Sequence, residues 1–141
     1  MGMNTDHIAY FQSAEGIELS RAAVARYGPD TCWYHGGEAG RKVGDELLPP
    51  MVSGMVKPTM TRSPWRFFLV YITPNRSFAE VYAKSVWSGN GAIYTVRPKG
   101  VIVADPDELF PGVSPEEIEL FACAGSAEVL EVEPVTGTRW K

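Results

Sequence analysis

A chain of 141 residues with 45% hydrophobic and 21% charged side chains has the makeup of one ordinary globular domain, long enough for a single core and short for two. Its formal net charge of -4 argues against a broad nucleic-acid surface, which needs clustered Lys and Arg to displace counterions; a local basic groove stays compatible. No apolar run approaches the ~20 residues of a membrane span and no charged-then-apolar secretion signal opens the chain, so the expectation is a cytoplasmic protein with no membrane partner.

In chain order, residues 1–12 are weakly patterned, with Ile8, Tyr10 and Phe11 able to dock on a core. Ile17, Leu19, Ala22, Ala23, Val24 and Tyr27 sit among Glu18, Arg21 and Arg26, which predicts a helix over Glu15–Tyr27 ended by Gly28-Pro29. Residues 1–30 thus read as a helical extension packed on a single domain over 31–141. Cys32-Trp33-Tyr34-His35 is a short β-like run broken by Gly36-Gly37, and the aperiodic stretch 51–64 reads as a surface loop of functional length. Phe67–Ile72 is a continuous apolar run that fits a buried strand.

Pro74 suits the first position of a helix with Thr73 as N-cap, while Ser77 and Glu80 offer a second register. Phe78, Val81, Tyr82, Ser85 and Val86 then recur at helical spacing and predict the apolar face, before Ser88-Gly89-Asn90-Gly91 stops the helix. Ala92–Arg97 reads as a strand closed by Pro98-Lys99-Gly100, and Val101–Val103 as a further short one. Ser114-Pro115-Glu116-Glu117 is a helix start, with Ile118, Leu120, Phe121 and Ala122 suited to the helix it opens. Ala127–Glu133 alternates imperfectly but favours a strand. The sum is a strand-rich α+β domain with helices outside the sheet.

Several residues carry chemistry. His35 ends an apolar strand and is followed by two glycines, which leave backbone groups open for a ligand; a histidine so placed is also commonly a satisfied core residue. Tyr71 and Tyr82, eleven residues apart, are either ordinary core or a stacking clamp for a flat ring, and Trp87 invites the same two readings. Asp105 and Glu128 stand beside a turn or strand edge where a carboxylate can face a cleft. Cys32 and Cys123 lack CxxC spacing and read as buried free thiols, not as a disulfide or zinc site. GxGxxG, Walker A, HExxH and GxSxG motifs are all missing from the sequence.

Taken together, Tyr34-His35-Gly36, Gly44-Asp45, Val70-Tyr71-Ile72-Thr73, Ile93-Tyr94-Thr95-Val96 with Pro98-Lys99-Gly100, and Asp105-Pro106 resemble the His-Tyr-Glu class of ADP-ribosyltransferases. The likeness is greatest to the small bacterial rifamycin ADP-ribosyltransferases and covers about residues 32–133. The resemblance implies an ADP-ribosyltransferase-like fold, two packed mixed or antiparallel sheets forming an NAD cleft with peripheral helices. It implies NAD+ as co-substrate with no metal. His35 would hydrogen-bond the nicotinamide ribose, the Gly36 backbone would hold the carboxamide, and Tyr71 and Tyr82 would bracket the ring. Glu128 matches the strand-opening Glu of the broader class, and Asp105 the Asp-Pro acid of the rifamycin enzymes, so both stand as the catalytic carboxylate. Phe110-Pro111-Gly112 is kept, but an acidic segment follows where the antibiotic enzymes are polar, which leaves the acceptor open as a small molecule or a macromolecule. The expected activity is a mono-ADP-ribosyltransferase of bacterial or phage type. The alternatives are an NAD+ glycohydrolase toxin, a non-catalytic nucleotide-binding or interaction domain and, more weakly, removal of RNA 2′-phosphates using Arg41, Arg62 and Arg66.

Overall fold

The expected N-terminal helix forms as α1, Ala14–Ala25, because Ser13 accepts a hydrogen bond from the Gly16 N–H at 3.0 Å and so caps its first turn. The computed structural model describes residues 10, 12–49, 69–86, 88–123 and 125–136. Expectations placed on Ile8, Phe11, the loop 51–64, Arg62, Arg66, Phe67, Phe68, Trp87 and the Cys123 side chain lie outside the described residues. The helix ends at Ala25, ahead of Tyr27, with Arg26 as C-cap reaching the Pro115 and Ile118 carbonyls. It is integral to the fold: Ala23 enters the main core, and the Ser20 hydroxyl accepts from the Ala104 N–H at 3.0 Å.

The strands pair antiparallel throughout. Four of them, β1 (Trp33–Glu38), β2 (Glu46–Leu47), β4 (Asn90–Lys99) and β7 (Ser126–Thr136), form one sheet in the order β1-β4-β7-β2. The others, β3 (Val70–Ile72), β5 (Ile102–Ala104) and β6 (Phe121–Cys123), form a second in the order β3-β6-β5. The domain is therefore α+β with two antiparallel sheets. Trp33, Val96, Ala127 and Val129 of the first sheet share a core with Val70, Ile72, Ala104 and Phe121 of the second. An aromatic knot of Tyr27, Trp33 and Phe121, packed edge to face with centroids 5.4 to 5.5 Å apart, ties α1 to both sheets.

Several local expectations are corrected. The run at Cys32–His35 does not break at Gly36-Gly37: β1 continues to Glu38, so His35 lies within the strand. Cys32 is exposed, not buried. Thr73 is not a helix cap, because its backbone pairs with Tyr34 and its hydroxyl donates to the Glu119 carbonyl at 3.0 Å. Asn75 takes that role, accepting from the Ser77 N–H at 3.0 Å, and α2 runs Arg76–Lys84. Ser114 and Glu117 do meet, but they start only a 3-10 turn, Pro115–Glu117. Phe121 and Ala122 belong instead to β6, held on both sides by β3 and β5. The imperfect alternation of 127–133 is a β-bulge: Val96 faces Val129 and Thr95 faces Glu131, leaving Leu130 extra.

The largest correction concerns α2. Its buried residues are Ala79 and Ala83, whereas Val81 is 59% and Tyr82 41% exposed. The reason is backbone proximity. A methyl group added at Gly36 would lie 1.9 Å from the Ala79 carbonyl oxygen, and one at Gly91 1.9 Å from that of Ala83. The helix backbone rests directly on two glycines of β1 and β4, and only alanine-sized side chains fit beside that contact.

Candidate functional site

Among the described residues the two sheets are joined by one bridge. Tyr34 of β1 and Thr73, the residue after β3, exchange both backbone hydrogen bonds, at 2.8 and 2.9 Å. In an antiparallel ladder the next bonded pair would be Gly36 with Tyr71. That pair does not form among the described residues, because the His35 imidazole takes its place: Nδ1 lies 2.7 Å from the Tyr71 carbonyl oxygen. A carbonyl only accepts, so Nδ1 carries the proton and Nε2 presents a lone pair.

Strand alternation settles which way Gly36 faces. Ala39 donates to the Asn90 carbonyl at 3.0 Å, so the odd residues of β1 bond toward β4 and the even ones toward the open edge. The N–H and C=O of Gly36 therefore point into the gap between β1 and β3, one donor beside one acceptor. Gly37 leaves room for the imidazole, since a methyl group there would sit 3.0 Å from His35 Nε2. Burial and, to a lesser degree, the Arg41 charge push the His35 pKa below its ordinary 6.5, while the bond to Tyr71 opposes them. The imidazole is thus held neutral at pH 7.

Tyr94 stands across from His35, with ring centroids 6.2 Å apart. Its buried hydroxyl donates to the Glu38 carbonyl at 2.6 Å and accepts from the Arg41 N–H at 3.2 Å, which ties the turn after β1 to β4. The sequence offers Arg41 only for the 2′-phosphate alternative and Tyr94 only as part of a strand motif; a tyrosine opposite a strand histidine becomes visible once the β1/β4 register is known.

The remaining candidates separate. Tyr71 is half-buried, with its carbonyl on His35; Tyr82 is carried on α2, the helix that covers Gly36. Asp105 is only 5% exposed, and its N–H extends the β5/β6 ladder by donating to the Leu120 carbonyl at 3.0 Å. Continued alternation sets it on the face of the three-stranded sheet that carries Val103, Ala122 and Tyr71. The turn after it is fixed by the Glu108 N–H on the Asp105 carbonyl at 2.9 Å. The Glu108 carboxylate caps the Glu119 and Leu120 N–H groups, at 3.0 and 3.3 Å, and burial raises its pKa.

Glu128 is not brought to this junction. It faces Arg97 and Glu46 on the surface of the four-stranded sheet opposite His35, and it forms an ion pair with Arg97. Beside it Lys99 pairs with Glu46 at 2.7 Å and holds that carboxyl below its usual range.

Among the described residues no three His, Cys, Asp or Glu side chains group as a metal site requires, and no helix is long and apolar enough to cross a membrane. No family model matches the chain, and a search of curated proteins returned no match.

Proposed function

We propose that the protein cleaves NAD+ and transfers its ADP-ribose to an acceptor, releasing nicotinamide, on an ADP-ribosyltransferase-like arrangement of its two sheets. The observation that carries this reading is the interrupted ladder at Gly36. A carboxamide matches an outward N–H and C=O on one residue: its oxygen accepts from Gly36 and its NH2 donates back.

With the carboxamide so held, the neutral His35 accepts at Nε2 from a hydroxyl of the nicotinamide ribose. Tyr71 and Tyr82 bracket the ring from strand and helix. The bond from ribose C1′ to the ring nitrogen breaks with its electron pair going to nicotinamide, which leaves neutral. The positive charge left on the ribose resembles that of glycoside hydrolysis and is stabilised by a fixed carboxylate. Asp105 is assigned that role, because it is withdrawn from water on the Tyr71 side, whereas Glu128 is neutralised by Arg97 on another face. The acceptor then bonds to C1′ and loses its proton.

Incubating the protein with NAD+, alone and with candidate acceptors, tests this by nicotinamide release and by addition of the ADP-ribose mass. Transfer to an acceptor is expected. Release that proceeds equally without one would make the protein a hydrolase, and failure to bind NAD+ at millimolar concentration would end both readings.

A further inference from the structure

The junction also holds a cation. Arg41 follows β1, is half-buried, and is fastened through its own N–H to the Tyr94 hydroxyl. Its charge reaches His35, whose protonation it opposes. Every other described arginine is engaged: Arg21 with Glu18, Arg26 with the Pro115 and Ile118 carbonyls, Arg76 with Glu80 and Glu133, Arg97 with Glu128. Among the described residues the Arg41 guanidinium has no counter-charge and no hydrogen bond. Withdrawing a cation partly from water without a partner costs free energy, which a bound anion offsets. A planar fork of N–H donors is suited to the paired oxygens of a phosphate.

We infer that Arg41 holds the diphosphate bridge of NAD+, and that Tyr94 is the residue that positions it. The inference rests on the dinucleotide reading above and extends it from the nicotinamide end to the phosphates. In the ligand the diphosphate follows the nicotinamide ribose; in the protein Arg41 follows His35 around the turn that Tyr94 pins between the Glu38 carbonyl and the Arg41 N–H. Arg41 contributes affinity for the anionic part alone, since nicotinamide carries no phosphate.

Titration calorimetry with the non-hydrolysable analogue carba-NAD+ and, separately, with nicotinamide tests this on the full chain. Arg41→Gln is expected to weaken carba-NAD+ by about 10- to 100-fold, the range for losing a hydrogen bond to a charged group, and to leave nicotinamide within about twofold. Arg41→Lys, which keeps the charge and loses the fork, should fall between, and Tyr94→Phe should weaken carba-NAD+ in the same direction. If wild type binds both ligands and Arg41→Gln binds carba-NAD+ equally well, the inference falls and the dinucleotide reading stands. If Arg41→Gln loses nicotinamide as well, Arg41 is a structural residue and the inference falls. If wild type binds neither, both fall together.

Discussion

Asp105 and Glu128 carry similar acids beside strands of the two different sheets, and their surroundings are opposite. Glu128 lies in a row with Arg97, Glu46 and Lys99 on an outer face, where charges of both signs neutralise one another in water. Such a row needs no function to explain it, because exposed pairs form cheaply and contribute little. Asp105 is buried just past the end of β5, on the face of the three-stranded sheet that carries Tyr71. A carboxylate kept from water is held there by the interactions it makes within the fold. The comparison separates a solvated ion-pair row from a single buried acid, although the two stretches look alike in sequence.

The largest expected effect tests that separation directly. Asp105→Asn should lower nicotinamide release by about 10²- to 10³-fold, the usual loss when one stabilising group is removed from a developing charge. Glu128→Gln, assayed alongside it, should stay close to wild type. Equal losses in the two variants would erase the distinction between the regions.

Next comes the rigid wall behind the junction. Gly36→Ala and Gly91→Ala each force a methyl group into a helix carbonyl and should cost about 3 kcal/mol or more in urea unfolding. Wild-type stability in either variant would mean that α2 can lift from the sheet, and Gly36 would lose its tie to a fixed gap.

A smaller effect is expected with pH. Because the folded His35 pKa lies below the ordinary 6.5, its contribution to stability is fully present above that value. The contribution is lost as pH falls through the lower folded value, where the imidazolium no longer accepts at Nε2 and meets the Arg41 charge. Binding of carba-NAD+ should therefore be flat near neutrality and decline on the acid side, with an imidazole titration by NMR centred below 6.5. A midpoint above 6.5 would contradict the buried, neutral ring.

The smallest response belongs to the outer row. Lys99→Ala should leave the thermal unfolding midpoint nearly unchanged at physiological salt, and any loss seen at low salt should vanish on adding salt. A large, salt-independent loss would give this face a structural weight its exposure does not suggest.

Part of the candidate site was legible in sequence as a set of residue types. His35 does meet Tyr71, but at the backbone: the imidazole bonds the Tyr71 carbonyl where the Gly36 ladder stops. The choice between Asp105 and Glu128 was not legible, because the face of a strand depends on register and the bulge at Leu130 shifts that register within β7. Arg41 was visible as a basic residue, but that its guanidinium has no partner among the described residues is a property of the assembled surface. The face of α2 was misread for a related reason. Periodicity reported a stripe at Phe78, Val81 and Tyr82, yet the buried side is Ala79 and Ala83.

What the sequence determined by itself is the local grammar: the α1 helix, the strand character of β3, β4, β5 and β7, and the residue types available for chemistry. These follow from short-range propensity and spacing, which act within a few residues. Tertiary structure decided how far β1 runs through its glycines, which side of α2 is buried, that Phe121 and Ala122 are strand, and which acid lies on the Tyr71 face. Each of those outcomes depends on backbones from distant parts of the chain meeting, a helix on two glycines or a strand held by two neighbours, and no local pattern encodes such a meeting.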